Sequence, residues 1–266
     1  MGAAYFLLLE AAVGGCIALL WVHLRGEVAR GFTMFTGVCL LIVAVLAVWL
    51  RNTFPPPIGG PTSAVWFGAE RASEVGFVVL LGAYLVGLRR SAGGRVMPLI
   101  GPLVPLVGLA SLWSASLVAP GGQLFGLGEP LATLAGAMAL GTSITALSLG
   151  HWYLVSPSMS VRPLIRLTLL CLGALTVQVA LVAILLLVPG AQAPNVGALV
   201  ADYGVFLGVR VVFGLVVPLI SIIMTWRTAR IRSLDSATGL LYIVVALILA
   251  GEIAARTLYF LTGVAT

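Results

Sequence analysis

The chain has 266 residues, of which 61% are hydrophobic and only 8% are charged, and its mean hydropathy is +1.18. This composition excludes a soluble globular domain, because apolar runs of about 20 residues are long enough to cross a bilayer. We therefore predict an all-α, polytopic membrane protein with a single integral membrane domain over residues 1–266. Every basic residue is arginine, and the net charge of +6 indicates loop orientation rather than nucleic-acid binding.

Eight membrane spans are predicted, with glycine, proline and arginine concentrated between them. They cover residues 3–24, 32–50, 64–88, 96–118, 129–155, 162–188, 197–226 and 236–262. The first span lacks the basic flank of a signal peptide, so we expect it to be retained as a helix.

Arginines are unevenly distributed between the loops. The loops after spans one, three, five and seven hold Arg25, Arg30, Arg89, Arg90, Arg95, Arg162, Arg166, Arg227, Arg230 and Arg232. The opposite loops hold only Arg51. Because short arginine-rich loops stay in the cytoplasm, both termini are predicted to face outside. For a bacterial inner-membrane protein this is the periplasmic side.

The common catalytic and metal-binding patterns are missing from the sequence. There is no G-x-S-x-G, no H-E-x-x-H and no P-loop, so nothing indicates a hydrolase or nucleotide-binding site. Cys16, Cys39 and Cys171 fall in three different apolar spans without close spacing. A metal cluster needs several thiolates that converge, so these cysteines are interpreted as buried packing residues.

Spans seven and eight carry an unusual set of charges. Each holds one acid and one arginine, and the two spans should run antiparallel. Asp202 would then lie near the depth of Arg256, and Arg210 near the depth of Glu252. Charges at this depth are costly unless paired, so they are candidate functional residues, although buried ion pairs can also serve only to set helix register. Gly204 and Gly208 would allow another helix to approach span seven closely.

Further acids are predicted in the same outer half of the membrane. Glu10 lies in span one, and Glu70, Arg71 and Glu74 lie in span three. When the charges of spans seven and eight are included, five acids face three arginines, so at least one carboxyl group lacks a full partner. Such a group is a candidate proton donor or acceptor, and Glu74 is the preferred candidate.

A second motif closes span five at the arginine-rich side. It reads Gly150-His151-Trp152-Tyr153-Leu154-Val155-Ser156-Pro157, and His23 closes span one at the same depth. Two histidines on different helices could be axial ligands of a haem b. The alternative is that both are interfacial residues with their polar edges in water or on a backbone carbonyl.

The last two spans resemble a known family. The matching residues are Val200-Ala201-Asp202-Tyr203-Gly204 followed by Arg210, and Ala250-Gly251-Glu252-Ile253 followed by Arg256 and Tyr259-Phe260. A Gly- and Pro-containing loop after span two and the pair Ser73-Glu74 agree in order. Together they resemble the membrane anchors of the dimethyl sulfoxide reductase family, which belong with the polysulfide-reductase-type (NrfD-like) quinone subunits.

The resemblance implies a haem-free subunit that binds menaquinone or another quinone near the outer face. It also implies an iron–sulfur partner subunit and a catalytic subunit of the molybdopterin type. Glu74 matches the glutamate of the quinone site, where it would accept a proton. Arg71, Arg210, Glu252 and Arg256 would shape the pocket, with Asp202 orienting Arg256. The chain departs from the family after span two, where Arg51-Asn52-Thr53-Phe54-Pro55 stands in place of a histidine, and in the Gly150–Pro157 motif.

Two other functions remain open from the sequence. The intramembrane charges could serve as the relay of a proton- or ion-coupled transporter. Alternatively, His23 and His151 could serve a haem b cytochrome or a haem-handling assembly factor.

Overall fold

A computed structural model describes residues 2–56, 61–90, 97–118, 128–156, 159–187, 193–264 and 266. The elements in these ranges are helical. They are α1 (Gly2–Leu24), α2 (Arg30–Thr53), α3 (Pro61–Arg89), α4 (Met97–Val118), α5 (Gly128–Val155), α6 (Arg162–Leu187), α7 (Ala193–Gly208), a π-helix π1 (Val209–Val216), α8 (Val217–Arg230) and α9 (Leu234–Thr262).

The predicted all-α membrane fold is confirmed. Eight helical spans in the described ranges are long and apolar enough to cross a bilayer, with α7, π1 and α8 together forming the seventh. Their ends agree with the predicted spans to within four residues. The agreement follows from the bilayer itself, which requires about 20 apolar residues in every crossing helix.

Helix α1 lies at the centre of the bundle, where it packs against α2, α4, α5 and α9. Its contact with α5 is unusually close. A Cβ atom on Gly14 would overlap the carbonyl oxygen of Ala137, and one on Gly141 would overlap the backbone of Gly14. Small residues allow this approach because helix association inside a membrane depends on close van der Waals packing.

The seventh span is irregular. Tyr203 has non-helical angles (φ −124°, ψ 21°) within α7, and the chain then passes through π1. The close approach predicted at Gly204 and Gly208 is wrong for the described residues, none of which lies within 4 Å of a Cβ on either glycine. The contact is instead made by Gly214, whose Cβ would lie 2.6 Å from the Cα of Gly251.

The two ends of the bundle are distinguished by the residues that lie there. At the end that carries both termini, hereafter the terminal end, a Cβ on Gly2 would lie 2.6 Å from the ring of Phe260. At the arginine-rich end, Arg232 donates to the backbone oxygen of Met159 at 3.2 Å. Arg95 and Pro157, which belong to the sequence predictions for that end, lie outside the described residues.

Candidate functional site

Two groups of buried polar side chains lie in the half of the bundle near the terminal end. The first, the Tyr5 cluster, consists of Tyr5, Arg51, Glu70 and Glu74, from α1, α2 and α3. None of these side chains is more than 5% exposed. The cluster forms because the last turn of α2 and the first half of α3 meet beside the beginning of α1.

Arg51 neutralises one of the two acids in the Tyr5 cluster. Its Nε donates to Glu70 Oε1 and its Nη2 to Glu70 Oε2, both at 2.9 Å. The guanidinium carbon lies 4.4 Å from the centre of the Tyr5 ring, which adds a cation–π contact. Such a two-pronged pair uses the fork geometry of arginine and leaves Glu70 fully compensated.

Glu74 has no comparable cation. The Tyr5 hydroxyl lies 2.6 Å from Glu70 Oε1 and also contacts Glu74 Oε1. A tyrosine hydroxyl carries one hydrogen, so it donates to one of these oxygens at a time. Because Glu70 is held by Arg51, the second contact is satisfied when Glu74 carries a proton. Glu74 Oε2 is buried and has no partner among the described residues.

The second group, the central cluster, lies on another side of α1. Tyr5 and Glu10 are five residues apart, which is about 140° around the helix and roughly 7.5 Å along it. The cluster combines side chains from α1, α5, α6, π1 and α9. Its members are Glu10, Glu129, Gln178, Arg210, Glu252 and Arg256, all buried.

Arg256 joins two of the acids in the central cluster. Its Nη1 donates to Glu129 Oε1 at 2.5 Å, and its Nη2 donates to Glu10 Oε1. Thr133 supplies a further hydrogen bond to Glu129 Oε1 at 3.1 Å. The guanidinium carbon lies 5.0 Å from the centre of the Phe6 ring. Arg256 therefore ties α9 to both α1 and α5.

The predicted pair of Arg210 and Glu252 is present. Arg210 Nη1 donates to Glu252 Oε1 at 3.0 Å, and Gln178 Nε2 donates to the same oxygen at 2.7 Å. Arg210 is the second residue of π1. A π-helix is rare and often occurs at functional sites. Here the segment contains both Arg210, which reaches Glu252, and Gly214, which lies against α9.

The other predicted ion pair, between Asp202 and Arg256, is wrong. Asp202 is exposed, and the partners of Arg256 are Glu10 and Glu129. Asp202 lies eight residues before Arg210, about 12 Å nearer the terminal end of the bundle. It directly precedes the distortion at Tyr203. Arg256 turns inward because two buried carboxylates neutralise it better than one exposed carboxylate can.

Arg71, the remaining predicted pocket residue, is near Glu74 in sequence but is not part of the Tyr5 cluster. It is partly exposed and bonds to the side-chain oxygen of Asn52. The predicted site residues therefore divide into three locations. Glu74 lies in the Tyr5 cluster, Arg71 lies beside it at the surface, and Arg210, Glu252 and Arg256 lie in the central cluster.

The two histidines do not converge. His23 Nδ1 lies 2.9 Å from the hydroxyl of Thr33, and the His23 ring stands edge-on to Tyr84 at 6.2 Å between centroids. His151 is exposed in a groove of about 350 Å³ that includes Phe35. Thr33 and Phe35 are about 200° apart around α2. The histidines thus lie on different sides of α2, and the geometry provides no shared haem site.

Two aromatic residues of the Gly150–Pro157 motif have structural contacts. Trp152 packs edge-on against Phe32 with 5.9 Å between ring centroids. Tyr153 donates to the backbone oxygen of Ser160 at 2.5 Å. These contacts join α5 to α2 and to the following loop.

The sequence does not predict several members of the clusters. The predicted spans place Arg51 in a loop and Glu129 at the very beginning of span five. Tyr5 and Gln178 carry a usable signal, because each is a polar side chain within an apolar span. The interpretation of the cysteines is correct for Cys16 and Cys171, which are buried, but wrong for Cys39, which is exposed.

The chain matches no protein-family model and no curated protein closely enough to identify relatives. In the described ranges, no group of three or more histidine, cysteine, aspartate or glutamate side chains is arranged to hold a metal ion.

Proposed function

We propose that this chain is the quinone-interacting membrane subunit of a respiratory oxidoreductase in the bacterial inner membrane. Menaquinone or another quinone is its redox partner in the bilayer. Electrons pass between the quinone and an iron–sulfur subunit, which serves a catalytic subunit of the molybdopterin type. The proposal rests on the resemblance in spans three, seven and eight and on the chemistry available at Glu74.

The observation that carries the proposal is the state of Glu74. It is 1% exposed, its Oε1 contacts the Tyr5 hydroxyl, and its Oε2 has no partner in the part of the chain that the structure describes. The neighbouring acid, Glu70, is neutralised by Arg51. Glu74 is therefore the acid in this cluster that can gain or lose a proton without breaking an ion pair.

This arrangement fits a quinol headgroup in one respect. A quinol hydroxyl is a hydrogen-bond donor, and Glu74 Oε2 is a buried acceptor to which no described residue donates. When bound, a quinol supplies two electrons and two protons. Glu74 accepts one of these protons, the other leaves to the aqueous phase at the terminal end, and the electrons pass to the iron–sulfur partner. Tyr5 orients the Glu74 carboxyl group through Oε1, and Arg51 holds Glu70 through two hydrogen bonds. Ser73 and Ser114 on α3 and α4, with hydroxyl oxygens 3.5 Å apart, place further polar groups beside this helix pair.

The structure changes the roles that the resemblance implied. Arg210, Glu252 and Arg256 belong to the central cluster on another side of α1 and are not neighbours of Glu74 in the Tyr5 cluster. We therefore restrict the proposed quinol site to the Tyr5 cluster with Arg71 at its edge. The electron acceptor is expected on a partner, since Cys16, Cys39 and Cys171 lie on three separate helices.

The decisive variant is Glu74→Gln, which keeps the shape of the side chain and removes its basicity. We expect quinol oxidation by the assembled complex to fall at least tenfold, while the subunits still copurify. General acid–base groups typically contribute a factor of about 10²–10⁴. Asp235→Asn, an exposed acid at the arginine-rich end, is the matched control and should retain the wild-type rate. Unchanged quinol turnover in Glu74→Gln would contradict the assignment of this site.

A second candidate function is proton- or ion-coupled transport, which the buried excess of acids in the central cluster favours. Affinity purification separates the two functions. A quinone subunit should bring an iron–sulfur protein with it, whereas a transporter should purify alone and acidify or alkalinise proteoliposomes when its substrate is added. A haem function is tested by the absorbance spectrum of the purified protein. A bound haem would give a Soret band, and the absence of this band would exclude the haem function.

A further inference from the structure

The central cluster contains one more acid than base. Its acids are Glu10, Glu129 and Glu252, and its bases are Arg210 and Arg256, with none more than 7% exposed. Arginine stays protonated in proteins. Three ionised carboxylates would leave one uncompensated negative charge. The cluster becomes neutral when it holds one proton.

The excess charge lies deep in the bilayer. Glu10 is eight residues from the beginning of α1, and Glu252 is ten residues from the end of α9. At 1.5 Å per residue these positions are about 12–15 Å from the terminal end, close to the middle of a core roughly 30 Å thick. An unpaired charge at that depth is strongly unfavourable, so a bound proton stabilises the folded bundle.

Two of the acids meet across a glycine of α5. A Cβ on Gly136 would lie 2.7 Å from Glu252 Oε2 and 3.2 Å from Glu10 Oε1. These two oxygens are therefore at most 5.9 Å apart, the sum of the two distances. The carboxyl groups approach each other where α5 has no side chain. Two carboxylates within this distance in a buried site repel each other, and a proton on either of them removes the repulsion.

Polar atoms without partners lie beside this pair. Gln178 is 1% exposed, and its amide nitrogen donates to Glu252 while its Oε1 has no partner among the described residues. Within the same ranges, Glu10 Oε2 and the Tyr259 hydroxyl on α9 are also buried without a partner. The oxygens of Gln178 and Glu10 are acceptors, and the O–H of a protonated carboxyl group is a donor that could satisfy one of them.

We propose that Glu10 and Glu252 form a carboxyl pair that binds one exchangeable proton beside Gly136. Arg256 holds Glu10, and Arg210 with Gln178 holds Glu252, so each acid keeps a fixed partner while the proton is taken up or released. Glu129 is not part of the pair, because the three atoms nearest to a Cβ on Gly136 belong to Glu252 and Glu10. This inference concerns the central cluster and does not depend on a quinol at the Tyr5 cluster.

The charged and titratable groups facing the pair come from every element around it. They are Glu129 on α5, Arg210 on π1, and Arg256 and Tyr259 on α9, with Gln178 on α6 as the neutral neighbour. The two arginines stay charged throughout. Proton uptake by the pair therefore changes the net charge of the cluster by one.

Infrared difference spectroscopy of the purified chain in nanodiscs tests the proposal. The measurements are made in a Glu74→Gln background, because Glu74 is another buried acid without its own arginine. In this background we expect a protonated-carboxyl C=O band at neutral pH that shifts in D₂O and disappears as the pH is raised. Glu10→Gln and Glu252→Gln should each abolish this band, since each leaves two acids facing two arginines. A band that persists with the same midpoint in both variants would overturn the proposal.

A steric variant tests the pairing without changing any charge. Gly136→Ala places a methyl group between the two carboxyl groups, so we expect the band to shift in frequency and midpoint. Gly82→Ala on α3 is the matched control, because nothing lies within 4 Å of its Cβ. An unchanged band in Gly136→Ala would show that the acids do not share the proton.

A sodium ion is the alternative ligand of the Glu10–Glu252 pair, and a sodium titration tests for it. With a proton as the ligand, sodium chloride and choline chloride at equal ionic strength should give the same band and the same melting temperature. A sodium-specific rise in melting temperature that is lost in Glu10→Gln, without a protonated-carboxyl band in the Glu74→Gln background, would identify a cation site and overturn the proposal.

Discussion

Arg51 and Glu70 form a buried two-pronged ion pair, with both hydrogen bonds at 2.9 Å. The pair joins the end of α2 to α3 near the terminal end of the bundle. We expect Arg51→Gln to lower the free energy of unfolding by about 3–5 kcal/mol, because it leaves Glu70 buried without a counter-charge. Thermal unfolding in detergent measures this as a lower melting temperature. Arg51→Lys should lower the free energy of unfolding by less, because it keeps the positive charge and loses only the two-pronged hydrogen bonding of the guanidinium group.

The control for this experiment is Arg90→Gln, which changes an exposed arginine just after α3. Its melting temperature should remain that of the wild type. Equal melting temperatures for Arg51→Gln and Arg90→Gln would show that the Arg51–Glu70 ion pair contributes nothing to stability.

Arg256 should be energetically coupled to its acids. Arg256→Gln leaves both Glu10 and Glu129 without their cation, so this variant should be strongly destabilised. Adding Glu129→Gln removes one stranded carboxylate and should recover part of the loss. A double-mutant cycle for contacting residues of this kind gives about 0.5–3 kcal/mol of interaction free energy. Strictly additive effects on melting temperature would contradict the contact.

The close crossing of α1 and α5 predicts a sharp steric limit at Gly141. A Cβ at this position would overlap the backbone of Gly14, which cannot move like a flexible side chain. Gly141→Ala should therefore lower the melting temperature and the yield of monodisperse protein. Gly82→Ala, with open space around its Cβ, should have little effect. Equal behaviour of the two variants in size-exclusion chromatography would show that the helices do not touch there.

Asp202 should tolerate neutralisation. It is exposed and is not a partner of Arg256, so Asp202→Asn is expected to change stability by no more than about 0.5 kcal/mol. Glu252→Gln provides the comparison, because it weakens the bonds from Arg210 and Gln178. A larger decrease in melting temperature for Asp202→Asn than for Glu252→Gln would support the predicted ion pair between Asp202 and Arg256 and contradict the structure.

The arginines predict which end of the bundle faces the periplasm, and fusions test this prediction. Alkaline phosphatase attached after Thr266 should be active, and green fluorescent protein at the same point should be dark, if the terminal end is periplasmic. A fusion truncated after Arg232 should show the reverse. Fluorescence from the full-length fusion would mean that the chain inserts the other way.

The charge pairs show how far the sequence could predict the site. Arg210 and Glu252 were predicted as partners from depth alone, and the structure confirms them. Depth could not distinguish Asp202 from Glu10 or Glu129 as the partner of Arg256. That choice depends on how each helix is rotated about its axis, which the apolar spans leave open because most of their faces are hydrophobic.

The sequence by itself determined the number of helices, their lengths and the end at which the arginines gather. These properties follow from the thickness of the hydrocarbon layer and the cost of moving charge across it, and both act on each span separately. Only the tertiary structure decided that α1 is central, that Arg51 and Glu129 are buried, and that the acids divide into two clusters on different sides of α1. Those outcomes depend on backbone contacts such as Gly14 against Ala137, which exist only when all the helices are packed together.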